Sequence, residues 1–196
     1  MDRISLDDVD ASATPGDGRS RCLTDALDLS NAAINHYRIP PGEGLPAGLH
    51  AHMDQEEIFV VLDGVAVFET MDGERTVAPG EAIRFAPGEY QSARNGGGQT
   101  DLEVLAIGAP RDSEDIRLPV TCPDCGHENL RIDTDDGLTF VCPDCGESFV
   151  PDGCPDCGAA AMQMTLDDAE QSGDDPDPVA ACQECGATFP EPPLVD

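Results

Sequence analysis

Residues 48–64 read GLHAHMDQEEIFVVLDG, and this stretch decides the fold of the first half of the chain. It places His50 and His52 two residues apart, and side chains at i and i+2 of a strand point to the same side. Glu57 follows, and then an apolar run at residues 58–62 that ends in an Asp-Gly hairpin turn. Two imidazoles and one carboxylate on adjacent strands predict a facial metal site with open coordination positions.

A second stretch, residues 80–95, reads GEAIRFAPGEYQSARN. The two stretches, at this distance from each other, resemble the two motifs of the cupin superfamily over roughly residues 30–109. Two features depart from the family pattern: the proline directly precedes Gly88, and the usual fourth ligand, a histidine, is Gln91. The resemblance implies a jelly-roll β-barrel. The metal ligands that it implies are His50, His52, Glu57 and Gln91.

The choice between two neighbouring carboxylates follows from the family spacing. Glu57 stands at the family's distance from Gly64, whereas Glu56, its neighbour on a strand, must face the other way. Two nitrogens and one or two oxygens suit Fe(II), Mn(II), Ni(II) or Zn(II). The alternative is that the glutamine weakens the site, so that the barrel binds no metal and His50 and His52 line a polar cavity.

No second catalytic group is evident from the sequence. Metal-binding cupins include dioxygenases, isomerases and decarboxylases, so the resemblance implies a metal-dependent reaction on a small molecule. An acid or base for such a reaction would come from side chains near the cavity. The candidates are His36, Tyr37, Met53, Arg84 and Tyr90.

The composition is strongly acidic. The 196 residues include 40 Asp and Glu against 10 basic residues, a net charge of -30, and all ten basic residues are Arg. An acidic, lysine-free chain resembles the cytosolic proteins of extreme halophiles, whose carboxylates keep the surface hydrated at molar salt. The absence of lysine excludes Schiff-base and P-loop chemistry. Strong negative charge disfavours an electrostatic grip on nucleic acid or anionic lipid.

The chain divides into segments at its turn residues. Short apolar strands separated by Gly, Pro, Asp and Asn turns, with no long helix, predict an all-β barrel. No apolar run reaches a membrane span, and the N-terminus lacks the pattern of a signal peptide, so we expect a cytoplasmic protein. The predicted segments are a mobile tail with one short edge strand near Ile4 (1–20), the barrel (21–109), a linker (110–119) and two small units (120–150 and 151–196).

Eight of the nine cysteines form four C-x-x-C pairs in the last 75 residues. Such pairs in an intracellular chain indicate zinc more often than disulfides, and each is followed by a glycine that permits a tight turn. Sequential grouping predicts two structural zinc sites in tandem units that resemble zinc ribbons. The first site would hold Cys122, Cys125, Cys142 and Cys145. The second would hold Cys154, Cys157, Cys182 and Cys185.

Hairpins between the pairs favour this sequential grouping. Residues 129–133 and 138–141 would form one hairpin, and residues 162–166 would pair with 179–181 across a flexible tip at 167–178. An interleaved grouping and a redox role for the dithiols are the open alternatives. His127, beside the first pair, is not needed as a ligand. The ninth cysteine, Cys22, is predicted to be a small buried residue.

Two functional hypotheses follow. In the first, the barrel is a metal-dependent enzyme that acts on a small molecule. In the second, the barrel senses a small ligand without catalysis, and the zinc units dock a protein or nucleic acid. Since these units carry few basic residues, of which Arg131 is the clearest, a protein partner is favoured over nucleic acid. The family resemblance also implies a possible homodimer.

Overall fold

The computed structural model of the protein describes residues 1–14, 17–167 and 176–195. A 3-10 turn at Leu6–Asp8 and a short helix, α1, at Leu23–Ala26 accompany eighteen strands in these ranges. The first ten strands are β1 Ser12–Ala13, β2 Arg19–Cys22, β3 Ala33–Ile39, β4 Ala51–His52, β5 Glu56–Asp63, β6 Ala66–Thr70, β7 Gly73–Val77, β8 Ala82–Phe85, β9 Gln91–Asn95 and β10 Leu102–Ala109. The remaining strands are β11 Ile116–Leu118, β12 Leu130–Asp133, β13 Thr139–Val141, β14 Ser148–Pro151, β15 Met162–Leu166, β16 Pro178–Cys182, β17 Thr188–Phe189 and β18 Leu194–Val195.

Two antiparallel sheets form the barrel. One has the strand order β1-β2-β3-β10-β5-β8 and the other the order β7-β6-β9. Apolar side chains from both sheets meet in one buried cluster, where the ring of Phe68 lies 5.0 Å from that of Phe59 and 5.5 Å from that of Phe85. The all-β jelly-roll class predicted from the turn spacing is therefore confirmed.

The segment predicted as an N-terminal tail (1–20) contains one strand and the start of another. The predicted strand near Ile4 does not form; instead β1 pairs with β2, and β2 pairs with β3 from Arg19 opposite Arg38 to Cys22 opposite Asn35. This edge was hard to predict because β2 is polar on both faces. Cys22 is exposed, so the prediction that it is a buried residue was wrong.

The C-terminal strands form two small units. The first four-cysteine unit (residues 116–151) contains β11–β14, with β12 paired to β13 as the predicted hairpin. The second four-cysteine unit (residues 154–189) contains β15–β17, and β15 pairs with β16 as expected. Residues 168–175, most of the predicted flexible tip, lie outside the described residues. The units share a buried apolar cluster that includes Leu130, Phe140 and Met164.

The first unit is continuous with the barrel. Its sheet has the order β18-β14-β13-β12-β11-β4, and β4 is the strand that ends at His52. The segment predicted as a linker therefore contains a strand, β11, that joins the unit to β4, the strand of the candidate ligand His52. Within the described ranges, no helix has the length and apolar character needed to cross a bilayer.

Candidate metal centres

Three segments bring the candidate ligands of the barrel together. His50 and Gln91 lie directly opposite each other, because the N–H of each donates to the carbonyl of the other at 3.1 and 2.8 Å. His52 ends β4 two residues later, and Glu57 lies in β5. The outward position of β5 is taken by Glu56, which accepts a 2.6 Å hydrogen bond from Arg84. The alternation along β5 thus places Glu57 inside, as the family spacing predicts.

The ligand atoms of these residues are within reach of one ion. One nitrogen each of His50 and His52 and one carboxylate oxygen of Glu57 all lie within 4.8 Å of one another. The His52 Nε2 to Glu57 Oε2 distance is 3.8 Å, and Gln91 Nε2 donates to the same oxygen at 3.0 Å. This is a compact set of two imidazoles, a carboxylate and an amide.

The amide of Gln91 tests whether a metal fits. Gln91 is buried, and its Oε1 has no hydrogen-bond partner among the described residues. A buried carbonyl oxygen without a partner costs about 1–3 kcal/mol. The oxygen and nitrogen of an amide exchange places on rotation of the side chain, and Nε2 now lies 3.3 Å from His50 Nε2. With the amide rotated, Oε1 would replace Nε2 beside His50 and Glu57 and could contact a cation there, so the donor set fits a divalent ion.

Burial sets the protonation of the site. Burial, together with the neighbouring His50, lowers the pKa of His52 to about 4, and burial also lowers the pKa of His50. Both imidazoles are therefore neutral near pH 7, the form that binds metals. Burial raises the pKa of Glu57 to about 7, opposed by the hydrogen bond from Gln91. A bound cation would favour the ionised carboxylate.

Hydrogen bonds fix which nitrogen of each imidazole faces the cavity. His50 Nδ1 lies 2.8 Å from the carbonyl oxygen of Gly48, which can only accept, so Nδ1–H donates and Nε2 carries a lone pair that faces Gln91 Nε2 at 3.3 Å. His52 Nδ1 lies 2.9 Å from Ser113 Oγ, and the Ser113 hydroxyl donates a hydrogen bond to Asp54 Oδ1 at 2.6 Å. Ser113 therefore accepts from His52, whose Nε2 also carries a lone pair. The sequence analysis missed Ser113 and Asp54, since nothing local links them to the metal motif.

The site opens into a cavity of about 400 Å³. Of the candidate catalytic side chains, Tyr37 lines this cavity, whereas His36, Met53, Arg84 and Tyr90 do not. His36 faces the other side of β3, 3.8 Å from Glu103. Polar groups that sequence reasoning did not single out also line the cavity: Asn35, Gln55, Ser92 and Arg111. Alternation with Tyr37 on the same strand could have identified Asn35.

The eight paired cysteines form two four-sulfur clusters, grouped in sequence order. Across the first cluster, Cys122 Sγ lies 3.7 Å from Cys145 Sγ and Cys125 Sγ lies 3.5 Å from Cys142 Sγ. The corresponding distances in the second cluster are 3.7 and 3.6 Å. A tetrahedral zinc ion with Zn–S bonds of about 2.3 Å separates its sulfurs by about 3.8 Å. The clusters fit zinc, and the interleaved grouping does not occur.

Local backbone structure explains why the clusters form. The glycine after each pair has φ between 74 and 81°, a left-handed conformation that other residues rarely adopt. Backbone N–H groups then point at sulfur, and those of Cys185 and Glu184 lower the pKa of Cys182 to about 7. His127 is not among the cluster residues, and its Nε2 lies 3.2 Å from Asn129 Oδ1.

Comparison with known proteins identifies the barrel. Residues 35–108 match the family model of the cupin domain. An oxalate-binding protein from Thermotoga maritima is 36% identical over 70 residues, which are 36% of this chain and 55% of that protein. This chain thus spans only about half the length of the curated relative that it matches.

Solved structures share the fold. A sugar phosphate isomerase of the cupin superfamily from Silicibacter pomeroyi has a TM-score of 0.54 at 23% identity, over 74% of this chain and 95% of that chain. The polyketide cyclase RemF from Streptomyces resistomycificus has a TM-score of 0.52 at 26% identity, over 63% of this chain and 89% of that chain. The chain therefore carries a cupin domain, followed by two four-cysteine clusters consistent with zinc-ribbon-like units.

Proposed function

We propose that the barrel binds one divalent metal ion through His50, His52, Glu57 and Gln91 and acts on a small molecule held in the adjoining cavity. The observation that carries this proposal is the convergence of three ligand atoms within 4.8 Å beside a buried, unpartnered amide oxygen. The two four-cysteine clusters would bind structural zinc, since four thiolates leave no position for a substrate.

The relatives support a small-molecule ligand. The oxalate-binding protein and the polyketide cyclase RemF are both named for small organic molecules. At their levels of identity they support the class of ligand and not a particular compound. A domain of this size with a cavity of about 400 Å³ fits such a ligand.

The chain's own residues have separate tasks in this proposal. The neutral imidazoles and Glu57 hold the ion, which when bound would supply a Lewis acid or a site for dioxygen. Tyr37 lies on the cavity wall, where its hydroxyl can donate a hydrogen bond to a ligand. Burial raises the pKa of Tyr37, so its hydroxyl keeps its proton at neutral pH and acts as a donor. Cytoplasmic location, a homodimer and adaptation to high salt stay predictions.

Metal analysis tests the proposal. The full chain would be purified in molar salt without chelator, beside a His50→Ala/His52→Ala double variant and a His127→Ala control outside both clusters. We expect two zinc ions plus one further metal in the parent and the control, and loss of the further metal alone in the double variant. Two zinc ions in all three proteins would mean that the glutamine has disabled the barrel site.

A second candidate function is a ligand sensor whose four-cysteine units dock a protein. The observation that favours it is an apolar groove of about 330 Å³ between the units, with Leu138 50% and Val150 43% exposed at its edge. Turnover distinguishes the two candidate functions. The sensor is favoured if the metal-loaded barrel consumes neither dioxygen nor any compound of a broad metabolite panel, and if a partner protein co-purifies through the units.

A further inference from the structure

The segment 48–53, which carries His50 and His52, lies between the barrel cavity and the apolar core of the four-cysteine units. Alternation along residues 48–53 points His50 and His52 into the barrel cavity. Leu49, the residue before His50, is fully buried and belongs to the apolar cluster of the four-cysteine units, which also contains Leu130 and Phe140. The metal-ligand segment is thus a wall between the barrel and the C-terminal units.

The first four-cysteine unit contacts this segment along its length. Strand β11 pairs with β4, so that Ile116 lies opposite His52 and Arg117 opposite Ala51. The next amide, Met53 N–H, donates to the carbonyl of Asp115 at 2.8 Å. The other edge of β11 pairs with β12, the strand that forms the hairpin between the cysteine pairs.

The second four-cysteine unit contacts the start of the same segment. Leu49 N–H donates to the carbonyl of Met164 at 2.7 Å, and Gln163 Nε2 donates to the carbonyl of Pro46 at 2.8 Å. A Cβ atom at Gly48 would lie 2.8 Å from the Met164 carbonyl oxygen. A contact this close requires glycine, so the second unit is built onto the barrel rather than loosely tethered.

The first unit also completes the cavity. Ile116 of β11 and Ile132 of β12 both line it, and Ser113, which lies just before β11, fixes the ring of His52. Asp54 anchors the serine segment by accepting from Ser113 Oγ at 2.6 Å and from the N–H of Glu114 at 2.7 Å. Side chains from beyond the barrel therefore form part of the ligand cavity and orient one metal ligand.

We propose that the first four-cysteine unit, together with the segment 113–115 that leads into it, forms part of the barrel site, with Ser113 as the positioning residue for His52 and Ile132 as part of the cavity wall. This rests on the proposed metal site at His50, His52, Glu57 and Gln91. Because the unit's hairpin is held by its thiolate cluster, loss of zinc there releases β12, then β11, and leaves β4 without its partner strand. The barrel ion is then bound more weakly, and the cavity opens.

The first experiment empties the first unit in the full chain. The exposed thiols Cys125 and Cys145 are both changed to serine, and Cys22→Ser serves as the control for loss of an exposed thiol. Mn²⁺ is the probe, because it prefers oxygen and nitrogen ligands and competes poorly for four thiolates. Titration followed by the electron paramagnetic resonance signal of free Mn²⁺ gives the affinity. We expect at least tenfold weaker binding in the double variant and parent affinity in Cys22→Ser.

Amide hydrogen exchange tests the same inference without the barrel metal. In the double variant, amides 49–53 should exchange faster, whereas those of 66–77 in β6 and β7 should keep their protection. Unchanged exchange at 49–53 in a double variant that has lost one zinc overturns the inference. A parent that binds no Mn²⁺ overturns the proposed function instead, and the exchange comparison still decides the inference.

Ser113 variants cover the case in which the double variant fails to fold. Loss of the hydrogen bond that orients a metal-bound histidine typically weakens binding about 10- to 100-fold. Ser113→Ala should therefore bind Mn²⁺ about tenfold more weakly, and Ser113→Thr, which keeps the hydroxyl, should restore the parent affinity. Equal affinities in the alanine and threonine variants would overturn the positioning role of Ser113.

Discussion

The barrel and the four-cysteine units hold their ligands in opposite ways. In the barrel, an apolar core from two sheets stabilises the fold, and the centroids of its three phenylalanine rings lie 5.0–6.1 Å apart. The candidate metal ligands are not part of this core. In the units, half of the paired cysteines belong to the core itself: Cys122 and Cys142 are each 1% exposed, whereas Cys125 and Cys145 are exposed. The units have short strands and few large side chains, so a bound metal would replace the missing apolar burial.

This difference explains why the two kinds of site tolerate different imperfections. A scaffold whose core forms without its candidate ligands could carry a weak one, Gln91, and a buried carboxylate, Glu57, whose pKa is raised to about 7. A unit that folds with its metal needs four strong, well-placed ligands. Both clusters have them, with sulfur separations of 3.5–3.7 Å that match a tetrahedral ion.

Removal of zinc should show the largest difference in stability between the barrel and the four-cysteine units. Structural zinc contributes about 10–16 kcal/mol to small metal-dependent folds, more than the packing of these units can supply. A strong chelator should therefore unfold residues 120–195 while β3, β5 and β10 stay folded. Hydrogen exchange before and after chelation measures this, and zinc added back is the control for reversibility. Simultaneous loss of protection in the barrel core would show that the two regions fold as one.

The next largest effect concerns the buried carboxylate. The pKa of Glu57 is about 7 in the folded protein against an ordinary value of 4.5. The stability that its protonated form contributes is complete below pH 4.5 and is lost as the pH rises through 7. With zinc in the units and no metal in the barrel, Glu57→Gln should then be more stable than the parent at pH 8, by on the order of 2 kcal/mol.

Urea unfolding at constant salt measures this difference. The two proteins should have nearly equal stability at about pH 4, where both side chains are neutral in the folded state. Glu56→Gln is the matched control, because Glu56 is exposed on the outer face beside Arg84. A gain at pH 8 of the same size in both variants would show that general charge repulsion, and not burial of Glu57, is the cause.

Local sequence patterns could predict most of the barrel and which residues converge at the candidate metal centres. The spacing of His50 and His52, the distance from Glu57 to the Asp-Gly turn, and a glycine after each cysteine pair are encoded within short stretches. The hairpins between the pairs also favoured the sequential grouping that the structure shows, because pairing β12 with β13 brings Cys122 and Cys142 together. Each of these features depends on neighbours in the chain.

Contacts between distant segments could not be predicted in this way. The pairing of β4 with β11 joins the metal-ligand strand to a segment far along the chain, and the hydrogen bond from His52 to Ser113 follows from it. An isolated serine in a polar stretch has no pattern that would indicate such a contact. The same reason explains the missed Ile132, which in sequence looks like an ordinary hairpin residue of the first four-cysteine unit.

Gln91 gives the smallest effect and the sharpest test of the barrel site. Gln91→His would put an imidazole, a stronger ligand than an amide oxygen, opposite His50, and we expect about tenfold tighter binding of Mn²⁺, about 1.4 kcal/mol. Gln91→Ala should weaken binding, and zinc in the four-cysteine units should be unchanged in both variants. If instead Gln91→Ala keeps the parent affinity for Mn²⁺ but loses binding of the cavity ligand, the amide serves the ligand rather than the ion. The barrel would then hold its metal with three protein ligands, and the free Oε1 of Gln91 would be the group that recognises the substrate.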